Sequence, residues 1–167
     1  MSEARIRPIA EADVPRLHQM MRGLAEYEKM MDIFTGTPEA VRDALFGRGP
    51  RLEGLVAERE DQLVGYALFY PVFGSFRARW RLWLEDLYVE DSERGTGAGA
   101  ALMAELARVT LERGWYSMDW EVIDWNEPAL GFYQALGSKE IATDWLRYRL
   151  SGEALQVVAG RAAAKKG

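Results

Sequence analysis

A glycine-rich segment at residues 94–100, Arg-Gly-Thr-Gly-Ala-Gly-Ala, constrains the fold of this chain most strongly. It follows the apolar run from Arg79 to Val89, which predicts a long strand, and precedes the run from Ala98 to Arg113, in which leucines recur at helical spacing before Gly114. The unpaired amides at the start of such a helix favour a diphosphate. The spacing fits neither a P-loop nor a dinucleotide fingerprint. A tight connection without a ligand is the alternative.

Strands and helices mix throughout the chain, which predicts an α/β or α+β fold built on one sheet. We expect one domain over residues 1–160 and a flexible tail at 161–167. Strands are predicted at 3–8, 55–60, 63–70, 117–123 and 145–150, of which the second and third form a hairpin that turns at Asp61 and Gln62 and ends within 71–75. Helices are predicted at 10–27, from the cap Thr37 to Gly47, at 127–136 and at 153–158.

Composition excludes several kinds of chemistry. The 167 residues include no cysteine and a single histidine, His18, so the chain has no disulfide framework, no thiolate nucleophile and no multi-histidine metal site. The formal net charge of −5 disfavours nucleic-acid binding, which needs clustered basic residues. No apolar run is long enough for a membrane span, and the start lacks a secretory signal, so we expect a cytoplasmic protein.

Two adjacent carboxylates, Glu85 and Asp86, interrupt the apolar run from Leu82 to Val89. Because neighbouring residues of a strand point to opposite faces, at least one carboxylate is expected to face inward or into a cleft. A β-bulge at this point is the other interpretation. An inward carboxylate is costly unless it is solvated or paired, so the pair is a candidate functional site.

A one-sided charge run extends from Gly114 to Ser138, with four acidic residues and no lysine or arginine. Asp119 and Glu121 share one face of the strand predicted there, opposite Trp120. A solvent-exposed sheet edge is the first explanation of this run, and a surface that attracts cations is the alternative.

Residues 94–100 resemble the Arg/Gln-x-x-Gly-x-Gly/Ala acyl-CoA loop of the GNAT acetyltransferase superfamily. Three further segments, at 25–30, 84–89 and 124–137, resemble the diamine (spermidine/spermine) and thialysine acetyltransferases. The likeness runs from about residue 4 to 150. It implies the GNAT fold, a mixed, mostly antiparallel central sheet that is splayed at the acyl-CoA site and flanked by helices.

The resemblance implies acetyl-CoA as cosubstrate and no metal. It places an oxyanion donor at the amide near Leu87 and a proton donor to the departing thiolate at Tyr133, whose alternative is a core aromatic. Asn126 would bond the pantetheine arm or cap the helix that follows it. The implied coenzyme-binding residues are Leu87, Tyr88, Val89, Arg94, Gly95, Thr96, Gly97, Ala98, Gly99, Ala100, Asn126 and Tyr133.

The resemblance also implies an acidic amine site. An alkylamine with a pKa near 10.4 is protonated at pH 7, so it must lose a proton before it attacks. Glu85 would bind the cationic substrate and help to remove this proton through water. The implied substrate-binding residues are Tyr27, Glu28, Glu85, Asp86, Asp119, Trp120, Glu121 and Trp145.

The expected activity is acetyl transfer to a primary amine of a small diamine or polyamine. Since the chain has no cysteine to carry the acetyl group, we expect direct attack in a ternary complex. Thialysine or another amino-acid amine, a non-catalytic acyl-CoA-binding domain and, less favoured, a peptide acetyltransferase are the alternatives. The resemblance implies a homodimer, and no nucleic-acid or membrane partner is expected.

Overall fold

The computed structural model describes residues 3–49, 51–141 and 147–164. The chain divides into two compact units, residues 1–126 and 127–167. The expectation of one domain over 1–160 stays a prediction.

The first unit contains a five-stranded sheet with the strand order β1-β2-β3-β4-β5. Neighbouring strands are antiparallel except for β4 and β5, which are parallel. This mixed, mostly antiparallel sheet confirms the predicted fold class. The strands are β1 (Arg5–Pro8), β2 (Glu53–Arg59), β3 (Gln62–Gly74), β4 (Arg79–Val89) and β5 (Met118–Trp120).

Helices cover both faces of the sheet. On one face, helices α1 (Val14–Tyr27) and α2 (Pro38–Phe46) bury an apolar stripe against Val56, Tyr66 and Leu68. On the other, α3 (Ala98–Glu112) packs on β2, β3 and β4 and buries Leu102 and Leu106. Side chains alternate along the strands, so β3 and β4 contribute to both layers.

The predicted starts and ends of α2 and α3 are confirmed. Thr37 Oγ1 accepts a hydrogen bond from the Ala40 amide at 3.2 Å, which caps α2, and Gly47 follows its last residue. Gly114 follows α3 with φ 68°, a left-handed conformation that glycine adopts without strain. The predicted helix at 10–27 begins with a 3₁₀ turn at Glu11–Asp13 and continues as α1.

The β2–β3 hairpin is confirmed, with its turn one residue earlier than predicted. Glu60 and Asp61 have φ values of 51° and 60°, as a two-residue type I′ turn requires. The predicted strand 63–70 stops too early, because β3 continues through Pro71 to Gly74, inside the stretch 71–75 that was predicted to end it. Pro71 pairs with Leu82, whose own amide bonds the Ser117 carbonyl on the opposite side, at 2.9 Å. The nitrogen of Pro71, which carries no hydrogen, therefore faces away from β4 and lies beyond the end of β2. Its lack of an N–H removes no ladder bond.

Two strand predictions are wrong. The predicted strand 117–123 is reduced to β5, which ends at Trp120 where its pairing with β4 ends at Leu84. Of the predicted strand 145–150, residues 147–150 are not strand, because no ladder among the described residues includes them. Trp145 and Leu146 lie outside the described residues.

The second unit contains helices α4 (Glu127–Ala135) and α5 (Gly152–Ala164). The predicted helix at 127–136 is confirmed, and Gly137 follows it with φ 85°. The helix predicted at 153–158 is longer at both ends. Its alanine-rich continuation has high helix propensity, which explains why it extends to Ala164.

Candidate active site

A β-bulge in β4 organises the candidate site. Asp86 pairs with Leu68 and Leu84 pairs with the next residue of β3, Phe69, so Glu85 is an extra residue without a partner on β3. The bulge reverses the alternation of β4. Leu84 and Asp86, two positions apart, therefore lie on opposite faces of the sheet, with Asp86 on the α1 side.

Glu85 is exposed and held by two donors. Both the Tyr70 hydroxyl and the Trp83 indole N–H donate to Glu85 Oε2, each at 3.0 Å. These bonds fix the carboxylate at the bulge.

Asp86 is the inward carboxylate. The Tyr66 hydroxyl donates to Asp86 Oδ2 at 3.2 Å, and Tyr66 is fully buried. Burial raises the pKa of Asp86 to about 6, the Tyr66 hydrogen bond opposes this rise, and the charges of Glu85 and Glu28 add to it. Burial and the neighbouring Asp86 carboxylate likewise raise the pKa of the Tyr66 hydroxyl. The prediction that one carboxylate of the pair faces inward is confirmed, and so is the bulge.

Beyond the bulge, one edge of β4 has no neighbouring strand within the described residues. The Glu90 amide bonds the Val64 carbonyl on the β3 side at 2.9 Å. Since amides of an antiparallel strand alternate between its two edges, Tyr88 also faces β3 while Leu87 and Val89 face the open edge. The Tyr88 side chain is buried against Gly23, so neither its side chain nor its amide reaches that edge.

The glycine-rich segment forms a turn before α3. Gly95 and Gly97 have φ values of 75° and 91°, which other residues adopt only with strain. The first bond of the helix runs from the Ala101 amide to the Gly97 carbonyl at 2.9 Å. The amides of Ala98, Gly99 and Ala100 precede this bond and lie at the positive end of the helix dipole. This donor set fits a diphosphate.

A buried arginine that the sequence reasoning missed anchors this turn. Arg59 is 8% exposed, and its guanidinium forms an ion pair with Glu93. It also donates to the Thr96 carbonyl at 3.5 Å, and the Thr96 hydroxyl donates to the Glu93 carbonyl at 2.6 Å. Arg59 ends β2, so only the folded sheet brings it to residues 93–96, and no local signal could have found it.

Arg94, Tyr27 and Asn126 come together beside the turn. The Arg94 guanidinium carbon lies 4.5 Å from the centre of the Tyr27 ring, and the Tyr27 hydroxyl donates to Asn126 Oδ1 at 3.0 Å. Asn126 is buried, and Arg94 is also paired with Asp91 at 2.7 Å. Two predicted coenzyme-binding residues thus share one aromatic neighbour, which was predicted for the amine site.

The end of α1 places one carboxylate, Glu28, and one ammonium, Lys29, directly after Tyr27. Burial raises the pKa of Glu28, whose charge in turn acts on Asp86 and Tyr66. The Lys29 ammonium lies 5.2 Å from the centre of the Trp125 ring. Lys29 and Trp125 were not predicted as site residues, although both lie within segments that the sequence singled out, 25–30 and 124–137.

Asp119 on β5 is engaged by its neighbours. Arg81 pairs with it at 3.0 Å, and the Ser117 hydroxyl donates to it at 2.9 Å. Trp120 is half-buried and pairs with Leu84, and Glu121 is exposed just beyond the end of the strand.

Tyr133 belongs to the second unit. It lies half-buried on α4, its ring centre is 5.2 Å from that of Phe132, and its carbonyl accepts the Ser138 hydroxyl at 2.7 Å. Trp145, the last predicted substrate residue, lies outside the described residues.

The described part of the chain contains neither a membrane-spanning helix nor a cluster of metal-binding side chains. Its helices are too short or too polar to cross a membrane. Its histidine and carboxylate side chains form no group of three or more that could hold a metal ion.

Residues 18–137 match the Acetyltransferase (GNAT) family, and the chain belongs to it. Its relatives include a Sus scrofa thialysine N-epsilon-acetyltransferase, 36% identical over 96% of this chain and 100% of that protein. A human spermidine/spermine N(1)-acetyltransferase-like protein 1 is 28% identical over 93% of this chain and 24% of that protein. An integron cassette protein from the mobile metagenome of V. cholerae shares the fold, with a TM-score of 0.74 and 21% identity over 95% of this chain and 99% of that chain.

These matches define the chain as an N-acetyltransferase acting on an amine. The named branch of diamine and thialysine acetyltransferases is confirmed. The family uses acetyl-CoA as cosubstrate.

Proposed function

We propose that this enzyme transfers an acetyl group from acetyl-CoA to a primary amine of a small cationic acceptor of the diamine or polyamine type. The β4 bulge is the observation that carries the proposal. It brings the buried Asp86 carboxylate, bonded by Tyr66, and the exposed Glu85 carboxylate, bonded by Tyr70, to the same part of the sheet. This part adjoins the open strand edge of Leu87 and Val89.

The residues of the 94–100 turn suit the coenzyme. Its diphosphate would accept bonds from the amides of Ala98, Gly99 and Ala100, with Arg94 adding positive charge. The open edge of β4 would take the pantetheine arm as an additional strand does. On this edge the Leu87 amide would donate to the acetyl oxygen as negative charge develops there.

The carboxylates would receive the acceptor. Glu28, Glu85 and Asp86 supply negative charge for a cationic amine, and Asp86, with its pKa near 6, is the one whose proton affinity suits a base at neutral pH. Glu85 would hold a water that carries the proton away. Tyr133 would protonate the departing thiolate. The free amine attacks the acetyl carbon, the carbon–sulfur bond breaks, and coenzyme A leaves as the thiol.

The test is release of free thiol from acetyl-CoA with a panel of amines. We expect turnover with diamines or polyamines, and Glu85→Gln should raise their KM at least fivefold. Glu112→Gln, which removes an exposed carboxylate at the far end of α3, is the matched control. A panel without any turnover contradicts the proposed activity, and an unchanged amine profile in Glu85→Gln contradicts the acidic site.

A second candidate acceptor, the side-chain amine of an amino acid, is favoured by Lys29. Helix α1 ends in a Schellman motif, with the Met30 amide bonded to the Ala25 carbonyl at 2.8 Å and the Lys29 amide to the Glu26 carbonyl at 3.2 Å. Lys29 holds the left-handed position, φ 60°, which usually belongs to glycine. A non-glycine residue there costs about 1 kcal/mol, so its side chain is a candidate for a role that offsets this cost.

Lys29 would bind the carboxylate of such an acceptor. Within the described residues it forms no ion pair, and it lies next to Glu28. The thialysine acetyltransferase relative also acts on an amino acid. Lysine and its decarboxylated counterpart, cadaverine, differ only in this carboxylate. The kcat/KM for lysine divided by the kcat/KM for cadaverine therefore measures how strongly the enzyme recognises the carboxylate.

We expect Lys29→Met to lower the lysine-to-cadaverine ratio at least fivefold and Lys139→Met, an exposed lysine of the second unit, to leave it unchanged. An unchanged ratio in Lys29→Met removes the argument for an amino-acid acceptor. The homodimer and the cytoplasmic location stay predictions, and sedimentation analysis tests the first.

A further inference from the structure

Tyr27 has both its hydroxyl and one ring face occupied by coenzyme-site residues. The hydroxyl donates to Asn126 Oδ1 at 3.0 Å, and the ring lies 4.5 Å from the Arg94 guanidinium carbon. The same side chain therefore touches a residue of the glycine-rich turn and a residue of the segment after β5.

Both partners are restrained from their other sides. Asn126 is 7% exposed, and its backbone N–H donates to the Ile123 carbonyl at 2.9 Å. Arg94 is paired with Asp91, which lies on its own loop. Tyr27, the last residue of α1, contacts both of these local structures and so links them to that helix.

The geometry points to Tyr27 as a positioning residue of the coenzyme site. Its ring sets the direction of the Arg94 guanidinium, and its hydroxyl sets the orientation of the buried side-chain amide of Asn126. This inference rests on the proposed function for the roles of Arg94 and Asn126. It differs from the sequence-based expectation, which placed Tyr27 in the wall of the amine site.

The chemistry of the two contacts makes them separable. A guanidinium over an aromatic face is attracted by the ring quadrupole, and phenylalanine retains this attraction. The hydrogen bond to Asn126 needs the hydroxyl. Tyr27→Phe therefore removes one contact, and Tyr27→Leu removes both.

The experiment compares the two variants by calorimetric titration with coenzyme A and by steady-state kinetics. We expect Tyr27→Phe to weaken coenzyme A binding about fivefold, the equivalent of one hydrogen bond. Tyr27→Leu should weaken it about tenfold or more. The KM for the amine should stay within about twofold in both variants.

A double-mutant cycle with Arg94→Gln adds a readout that a merely structural role would not move. If Tyr27 acts through Arg94, Tyr27→Leu and Tyr27→Phe should weaken coenzyme A binding equally once Arg94→Gln is present, because only the hydrogen bond to Asn126 then remains to be lost. Tyr27→Phe combined with Arg94→Gln should instead multiply the two single effects.

Three outcomes would overturn the inference. They are a rise in the amine KM with unchanged coenzyme A binding, a loss of thermal stability with unchanged binding, and a loss in Tyr27→Leu beyond that in Tyr27→Phe that is as large with Arg94→Gln as without it. Because the titration needs no turnover, wild-type protein that binds coenzyme A but transfers no acetyl group contradicts the proposed function alone.

Discussion

Asp86→Asn is expected to stabilise the folded protein at neutral pH. The substitution removes a charge that is buried next to Glu28 and Glu85. The asparagine Oδ1 can still accept the Tyr66 hydroxyl, so the hydrogen bond at this position is retained. The neutral variant therefore isolates the cost of ionising Asp86 inside the fold.

The magnitude follows from the rise in the pKa of Asp86, from its ordinary value of 3.8 to about 6. Each tenfold change in proton affinity corresponds to about 1.4 kcal/mol, so the ionised carboxylate lowers the free energy of unfolding by about 3 kcal/mol at pH 7 and above. This is a substantial share of the roughly 5–15 kcal/mol that stabilises a typical domain. Desolvation is the main cause, and the two neighbouring carboxylates add to it.

The sign of the pH dependence is fixed by the direction of the shift. Between the two pKa values the folded state binds more protons than the unfolded state, so the contribution of Asp86 to stability falls as the pH rises from about 4 to about 6. Below this range wild type and Asp86→Asn should be equally stable. Above it the variant should be more stable by about 2–3 kcal/mol, with the difference constant.

Urea unfolding at pH values from 4 to 8 measures this difference directly. Asp32→Asn, the same change at an exposed position, serves as the control and should leave the free energy of unfolding within about 0.5 kcal/mol at every pH. A stability difference for Asp86→Asn that does not change with pH would refute the argument from titration. A variant less stable than wild type at pH 7 would refute the cost of burial itself.

Three further substitutions test separate parts of the site. Tyr133→Phe should lower kcat about 100-fold or more while coenzyme A binding stays within twofold, and unchanged turnover would remove Tyr133 from the mechanism. Gly97→Ala forces a side chain into φ 91° and should cost about 1–2 kcal/mol of stability and weaken coenzyme A binding, whereas Gly131→Ala within α4 should cost neither. Gly23→Ala places a Cβ 2.7 Å from the Tyr88 hydroxyl and should cost about 1–3 kcal/mol in urea unfolding; an equally stable variant would show that Tyr88 can move.

Local signals predicted the parts of the fold that depend on neighbours in sequence. The cap at Thr37, the stop at Gly114 and the turn before α3 each follow from backbone chemistry within a few residues, and the structure has all three. The prediction of a strand at 117–123 was wrong for the opposite reason. Its length depends on how far β4 remains available as a partner, which its own alternation cannot reveal.

The candidate site divides in the same way. Glu85 and Asp86 are adjacent in sequence, and their conflict with strand alternation was enough to predict an inward carboxylate or a bulge. Arg59, Tyr66 and Tyr70 reach the site from other strands, at positions that only the register of the sheet determines. Sequence alone therefore named the carboxylates proposed to react and missed the groups that orient them.

The bulge accounts for several of these features together. A regular β4 would place Asp86 and Leu84 on the same face, with the carboxylate on the α3 side of the sheet. One extra residue, Glu85, moves Asp86 to the α1 side, where Tyr66 and Glu28 lie. The same irregularity occurs where pairing with β5 ends and the open edge of Leu87 and Val89 begins. A deletion of Glu85 should therefore leave the pairs between β3 and residues 79–84 in place, straighten β4 and remove acetyl transfer, whereas Glu85→Gln keeps the bulge and alters only the acceptor site; equal effects of the two changes would contradict this division of roles.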